Sequence, residues 1–126
     1  MTSEKNGKQI IMVCDDDKDL LILTGETLKS SGYDVFLANS GKEAIDQLKK
    51  WNIDLIVLDV KMAEMHGLDV LKEIRKINSE IPVVIFTSYP QLAGLAEFRI
   101  LGVKTVVEKG SWGRLEQAIR EALKKG

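Results

Sequence analysis

Four apolar runs in this 126-residue chain end in polar residues of different kinds. Ile10 to Cys14 leads into Asp15-Asp16-Asp17, Leu55 to Leu58 into Asp59, Val83 to Phe86 into Thr87, and Val106-Val107 into Glu108-Lys109. In an open parallel sheet the carboxyl ends of the strands share one edge, so residues tens of positions apart converge there on a single ligand site. Carboxylates, a hydroxyl and an ammonium then meet in one pocket. Like carboxylates packed together repel unless a cation sits between them, and clustered Asp oxygens suit a hard divalent ion such as Mg²⁺. An acidic pocket that also holds a lysine points to phosphoryl chemistry, in which metal and ammonium neutralise the charge of the transferred group.

The elements that must position these residues are written in the same alternation. Apolar runs of four or five residues alternate with segments of helical periodicity, the pattern of βαβ units and of a parallel sheet covered on both faces. Strands are expected near 10–14, 34–38, 55–58, 83–87 and 105–108, and helices near 18–31, 41–50, 67–77, 90–101 and 112–125. Ser40, with Glu43 three residues on, forms a capping box ahead of the apolar positions Ala44, Ile45 and Leu48. The last helix carries the cleanest stripe, Leu115, Ala118, Ile119, Ala122 and Leu123, which leaves Glu116, Arg120, Glu121 and Lys124 to solvent. Gly32, Gly102 and Gly110 stand at element ends, where a positive φ is often required.

Length and composition narrow the function classes. One domain is expected, long enough to bury a core without covalent staples. The composition, 44% hydrophobic and 29% charged, is that of a soluble globular protein, with no apolar run approaching the roughly 18 residues of a membrane span. The polar start, Met1 to Lys8, lacks the apolar centre of a signal peptide, so cytoplasmic residence is expected, with 1–8 a disordered tail and 9–126 the domain. A net charge of −1 gives no basic footprint for nucleic acid. The single cysteine, Cys14, sits in an apolar run and reads as a buried structural thiol.

In this order the residues closely resemble the receiver domain of bacterial two-component response regulators, over about Gln9 to Lys124. The resemblance rests on a combination: Asp15-Asp16 after the first strand, Leu58-Asp59 followed by Met62 and Gly67, Thr87-Ser88 at the fourth strand end, and Lys109 at the fifth. It implies a flavodoxin-like, doubly wound (βα)5 α/β fold with a five-stranded parallel sheet in the order 2-1-3-4-5. By the same resemblance, Asp59 accepts a phosphoryl group from a histidine kinase or phosphotransfer protein. Asp15, Asp16, Asp59 and the backbone carbonyl of Lys61 hold Mg²⁺, while Thr87 and Lys109 contact phosphoryl oxygens. A downstream protein target is implied but not identified, and the domain is a self-phosphorylating and self-dephosphorylating switch with no external product. A carboxylate is also, on chemical grounds, a competent nucleophile for phosphoryl groups.

Several positions depart from the family pattern. The usual Met-Pro-x-Met-Asp-Gly segment reads Met62-Ala63-Glu64-Met65-His66-Gly67, Val106 stands where many receivers carry an aromatic residue, and Gly110 replaces the proline after the lysine. A trans Lys109-Gly110 bond is expected, since a non-proline cis bond costs about 2.5–4 kcal/mol. The resemblance also implies that the residues two beyond Asp59 and Thr87 border the path of the hydrolytic water; here they are Lys61 and Tyr89, both large, and their bulk is expected to obstruct it. Asp17 reads as a helix cap, His66 as an exposed turn residue and Trp112 as a rim residue packing on the last helix. Two other functions fit part of the pattern. The altered output residues suggest a receiver-fold binding module that acts without phosphorylation. The Asp15-x-Asp17 pair suggests a haloacid-dehalogenase-like phosphatase, although Phe86-Thr87-Ser88-Tyr89 lacks the later acidic motif such an enzyme needs.

Overall fold

A computed structural model of the chain describes residues 7–62, 66–94 and 96–124. Residues 1–6 of the expected tail, and 63–65 of the segment before Gly67, lie outside the described residues.

Five strands alternate with helices: β1 (Ile10–Cys14), α1 (Lys18–Ser30), β2 (Asp34–Ala38), α2 (Gly41–Lys50), β3 (Leu55–Leu58), α3 (Gly67–Ile77), β4 (Val83–Thr87), a 3₁₀ turn (Pro90–Gly94), α4 (Ala96–Ile100), β5 (Thr105–Glu108) and α5 (Trp112–Lys124). The strands form one parallel sheet in the order β2-β1-β3-β4-β5. Alternate residues of the central strands face opposite sides, which is why their runs are apolar throughout. Met12, Cys14, Ile56, Leu58, Val83 and Ile85 pack with Ala44, Leu48, Val70, Leu71, Ile74 and Phe98 on one face. Ile11, Val13, Leu55, Val57, Val84 and Phe86 pack with Leu21, Leu28, Leu115 and Ile119 on the other. This is the doubly wound arrangement.

Local chemistry agrees with the element starts. Asp17 caps α1, its side chain accepting from the Leu20 N–H at 3.2 Å. Ser40 caps α2 by accepting from the Glu43 N–H at 3.1 Å, and the Glu43 carboxylate reaches back to the N–H of Asn39 at 2.7 Å. Trp112 keeps the half-buried place of a rim residue but packs its ring across to the sheet. It opens α5, with its ring centroid 5.3 Å from that of Phe86 on β4. The expected helix over 90–101 is corrected, because the chain breaks there into the 3₁₀ turn and the short α4. Gly94 weakens a helix interior by about 1 kcal/mol against alanine. Ala93 and Phe98 are the only buried anchors among the described residues of the segment, too sparse a stripe to hold a single rod.

Candidate functional site

The strand register builds the site. Cys14 of β1 pairs with Leu58 of β3, so Asp15 and Asp59 each lie one residue beyond a paired position on adjacent strands. Their backbones stay tied to the sheet: the Asp59 N–H donates to the Cys14 carbonyl and the Asp15 N–H to that of Ala38, both at 3.1 Å. On β4, the strand next to β3, Thr87 pairs with Glu108 of β5, and the Lys109 N–H donates to the Thr87 carbonyl at 2.9 Å. The ends of four strands, carrying Asp15, Asp59, Thr87 and Lys109, thus meet at one edge.

Asp15 and Asp59 are buried, whereas Asp16 is exposed at the mouth. One carboxylate oxygen from each of the three lies within 4.8 Å of the others. The Lys109 ammonium bridges two of them, 2.7 Å from Asp15 Oδ2 and 2.9 Å from Asp59 Oδ2, with only 11% of its side chain exposed. Burial alone would lower the pKa of Lys109, but its bonds to both acids outweigh that and raise it. For Asp15 burial wins, lifting its pKa above the usual carboxylate range against the pull of Lys109. Both directions follow from one geometry, in which two buried acids share a single cation: Lys109 gains two partners, while the half-share Asp15 receives does not offset its burial. A set of hard oxygen donors with surplus negative charge fits a divalent cation of the Mg²⁺ type.

Backbone donors hold the remaining oxygens. The Asp17 N–H donates to Asp15 Oδ1 at 3.0 Å and the Lys61 N–H to Asp59 Oδ1 at 3.3 Å. Gly67 is pressed against the same turn, its N–H donating to the Val60 carbonyl at 2.8 Å. A Cβ there would overlap the Asp59 carbonyl oxygen and stand 2.6 Å from Val60 Cα, so this close approach requires glycine. At the far side the Lys109-Gly110 bond is trans, and Gly110 takes a φ of +99° to turn the chain into α5.

The cleft above these groups is lined by Asp16, Asp17, Asp59, Lys61, Met62, His66, Ser88, Tyr89 and Lys109. Lys61 lays its ammonium 4.7 Å from the centroid of the Tyr89 ring, so the two bulky residues meet across the cleft. Thr87 is less directly placed. It is fully buried, and its hydroxyl accepts from the Tyr89 N–H at 3.0 Å, apart from the ion pairs of Asp59. His66 and Ser88 belong to the cleft wall, a role not read from sequence. Ser88 had a signal in its place next to Thr87. His66 had none, because the approach of Gly67 to the Asp59 turn is what carries it there.

Cys14, just behind the acids, is buried and its thiol is pushed up to about 12, by burial first and then by the charges of Asp15 and Asp59. Its reading as a structural thiol stands. Among the described residues no helix is long and apolar enough to cross a membrane.

Known proteins share this fold and sequence pattern. The family pattern of the response regulator receiver domain matches residues 11–120. The chain is 39% identical over 110 residues to the transcriptional regulatory protein ZraR of Escherichia coli, covering 87% of this chain but only 22% of that protein's length. It is 36% identical over 95 residues to the sporulation initiation phosphotransferase F of Bacillus subtilis, covering 75% of this chain and 77% of that one. The crystal structure of the response regulator TrrA of Thermotoga maritima in complex with Mg(2+)-BeF superposes with a TM-score of 0.82 at 28% identity, covering 91% of this chain and 99% of that one. The edge of acids and lysine therefore sits in a two-component signalling fold, and the chain belongs to the response regulator receiver domain family.

Proposed function

We propose that the chain is a phosphoacceptor switch, in which Asp59 takes a phosphoryl group from the phosphohistidine of a histidine kinase or phosphotransfer protein. The observation that carries this reading is the shared ammonium: Lys109 bonds the buried Asp59 carboxylate and its buried neighbour Asp15 at the floor of a cleft open on one side. An Asp59 oxygen forms the new bond to phosphorus as the bond from phosphorus to the donor's imidazole nitrogen breaks, and the imidazole leaves with the electron pair. Asp15, Asp16, Asp59 and the Lys61 carbonyl would hold Mg²⁺, which supplies charge neutralisation between nucleophile and phosphoryl group. Lys109 pairs with one phosphoryl oxygen. Thr87, whose hydroxyl accepts from the Tyr89 N–H, donates its own O–H to a second oxygen, which moves the backbone at the end of β4. The changed surface is read by a downstream protein target.

The functional unit spans 9–126 and acts in the cytoplasm as a switch whose only product is its own phosphorylated state. No role requires nucleic acid or membrane contact by this chain. The regulator from Escherichia coli is several times longer, so activities of its other parts are not carried over. Asp17 is engaged as the α1 cap, which takes away the second acid a phosphatase of the haloacid-dehalogenase kind would use. Calorimetric titration with Mg²⁺ tests the reading. Asp16→Asn should weaken binding sharply, since the site has few protein ligands and loses one anion. Unchanged affinity would remove Asp16 from the metal site.

A further inference from the structure

At the opposite pole of the sheet, Arg75 near the end of α3 has no carboxylate partner among the described residues. Its guanidinium is pinned instead by backbone carbonyls: Nε donates to Leu101 O at 2.7 Å, and Nη1 to Ile81 O at 2.7 Å and Asn78 O at 3.3 Å. Among the described residues Nη2 has no hydrogen-bond acceptor, and it lies beside Gly102, 3.2 Å from where a Cβ would stand. Burial alone pulls the Arg75 pKa below its ordinary value, so the charge is partly desolvated and no acid repays it. A half-buried cation held rigid with donors to spare has already lost the side-chain entropy that binding would otherwise remove.

A cavity of about 420 Å³ opens against this group, bounded by the loop before β4, the start of β5 and α5. Its polar lining is Arg75, Ser79, Glu80, Lys104 and Thr105, over a floor that includes Val83, Val84 and Ala122. Lys104 supplies a second cation. Glu80 opposes them, and because it and Lys104 are both solvent-exposed water screens the two alike, which leaves the half-buried Arg75 as the net positive charge of the lining. Two cations, two hydroxyls and a preorganised guanidinium make a receptor for an oxyanion, and the volume falls within the range of small-molecule pockets.

We infer that this pole of the domain is a binding site for an oxyanion, a phosphate or carboxylate group free or carried on a small molecule, held by Arg75 Nη2 and Lys104. The site is independent of Asp59 chemistry. It is tested by amide NMR titration of the full chain in EDTA, with inorganic phosphate in one arm and acetate in the other at constant ionic strength. Saturable shifts at Gly102, Lys104 and Thr105 in either arm are expected, and the arm that saturates names the anion. Lys104→Glu, an exposed change that leaves the core intact, should weaken that affinity by about five- to tenfold. Lys42→Glu on α2, a reversal of the same size elsewhere, should leave it unaltered. Arg75→Lys keeps the charge but loses the fork, and should weaken binding while the remaining amides stay native. Linear drift in both arms, shifts confined to the Asp59 cleft, or equal affinity in Lys104→Glu and wild type would each overturn the site.

Discussion

Replacing Lys109 by methionine removes the one cation shared by two buried acids while keeping most of the side-chain volume. Asp15 and Asp59 have 5% and 6% of their side chains exposed, so water cannot take over the neutralisation. Breaking a buried ion pair by deleting one partner costs about 3–5 kcal/mol. Protonation of one carboxylate would relieve part of that, leaving about 2–4 kcal/mol at neutral pH in EDTA, or a fall in Tm of roughly 10 °C for a chain of this size. Acidification should narrow the gap. Without the ammonium the folded-state carboxylate pKa rises further above its unfolded value, and stability from such a group is present at low pH and lost as pH rises through the folded value. Mg²⁺ should narrow the gap as well, since it binds only the folded state and no longer competes with an ammonium for the same oxygens. The assay is thermal unfolding followed by circular dichroism, wild type against Lys109→Met, with and without Mg²⁺. Equal stability of the two proteins in EDTA at neutral pH, or an equal Mg²⁺ increment in both, would refute the shared-cation argument.

Gly67→Ala should destabilise the fold by about 1–3 kcal/mol or more, because the new methyl meets backbone that cannot yield; denaturant melts check this, and phosphodonor labelling should fall with it. Small polar residues at both Lys61 and Tyr89 should speed loss of the phosphoryl group severalfold by opening the cleft their side chains now span, with decay of the labelled mass as the readout; equal or slower decay contradicts the gating. The raised thiol pKa of Cys14 makes its stability contribution full below about pH 9 and lost as pH climbs towards 12. Relative to Cys14→Ala, wild type should lose up to about 1.4 kcal/mol per pH unit in that window, measured by denaturant unfolding at each pH.

The strands were legible because their apolar runs stop abruptly. All five occupy the expected positions, and the polar residue that stops each run at β1, β3 and β5 lands on the same edge. The metal-type cluster followed from that placement, since Asp15 and Asp59 need only a parallel register to become neighbours. What the sequence could not display was made by tertiary contact. Thr87 reads as a site residue, and its hydroxyl also accepts from the Tyr89 N–H, a local turn that the apolar pattern of the strand does not display. The interrupted segment 90–101 has a helical apolar spacing, but the sheet offers it few anchors. Arg75 reads as one more solvated charge on α3, and its role appears only when carbonyls as distant as Leu101 fold around it.

The central claim is that Asp59 itself becomes phosphorylated. Incubation with acetyl phosphate and Mg²⁺, reductive trapping with borohydride, and peptide mass spectrometry measure this directly, because hydride converts an aspartyl phosphate to homoserine. One modified residue at position 59, absent without phosphodonor and absent in Asp59→Asn, is the expected result. Homoserine at another acid, or full trapping in Asp59→Asn, would contradict the account.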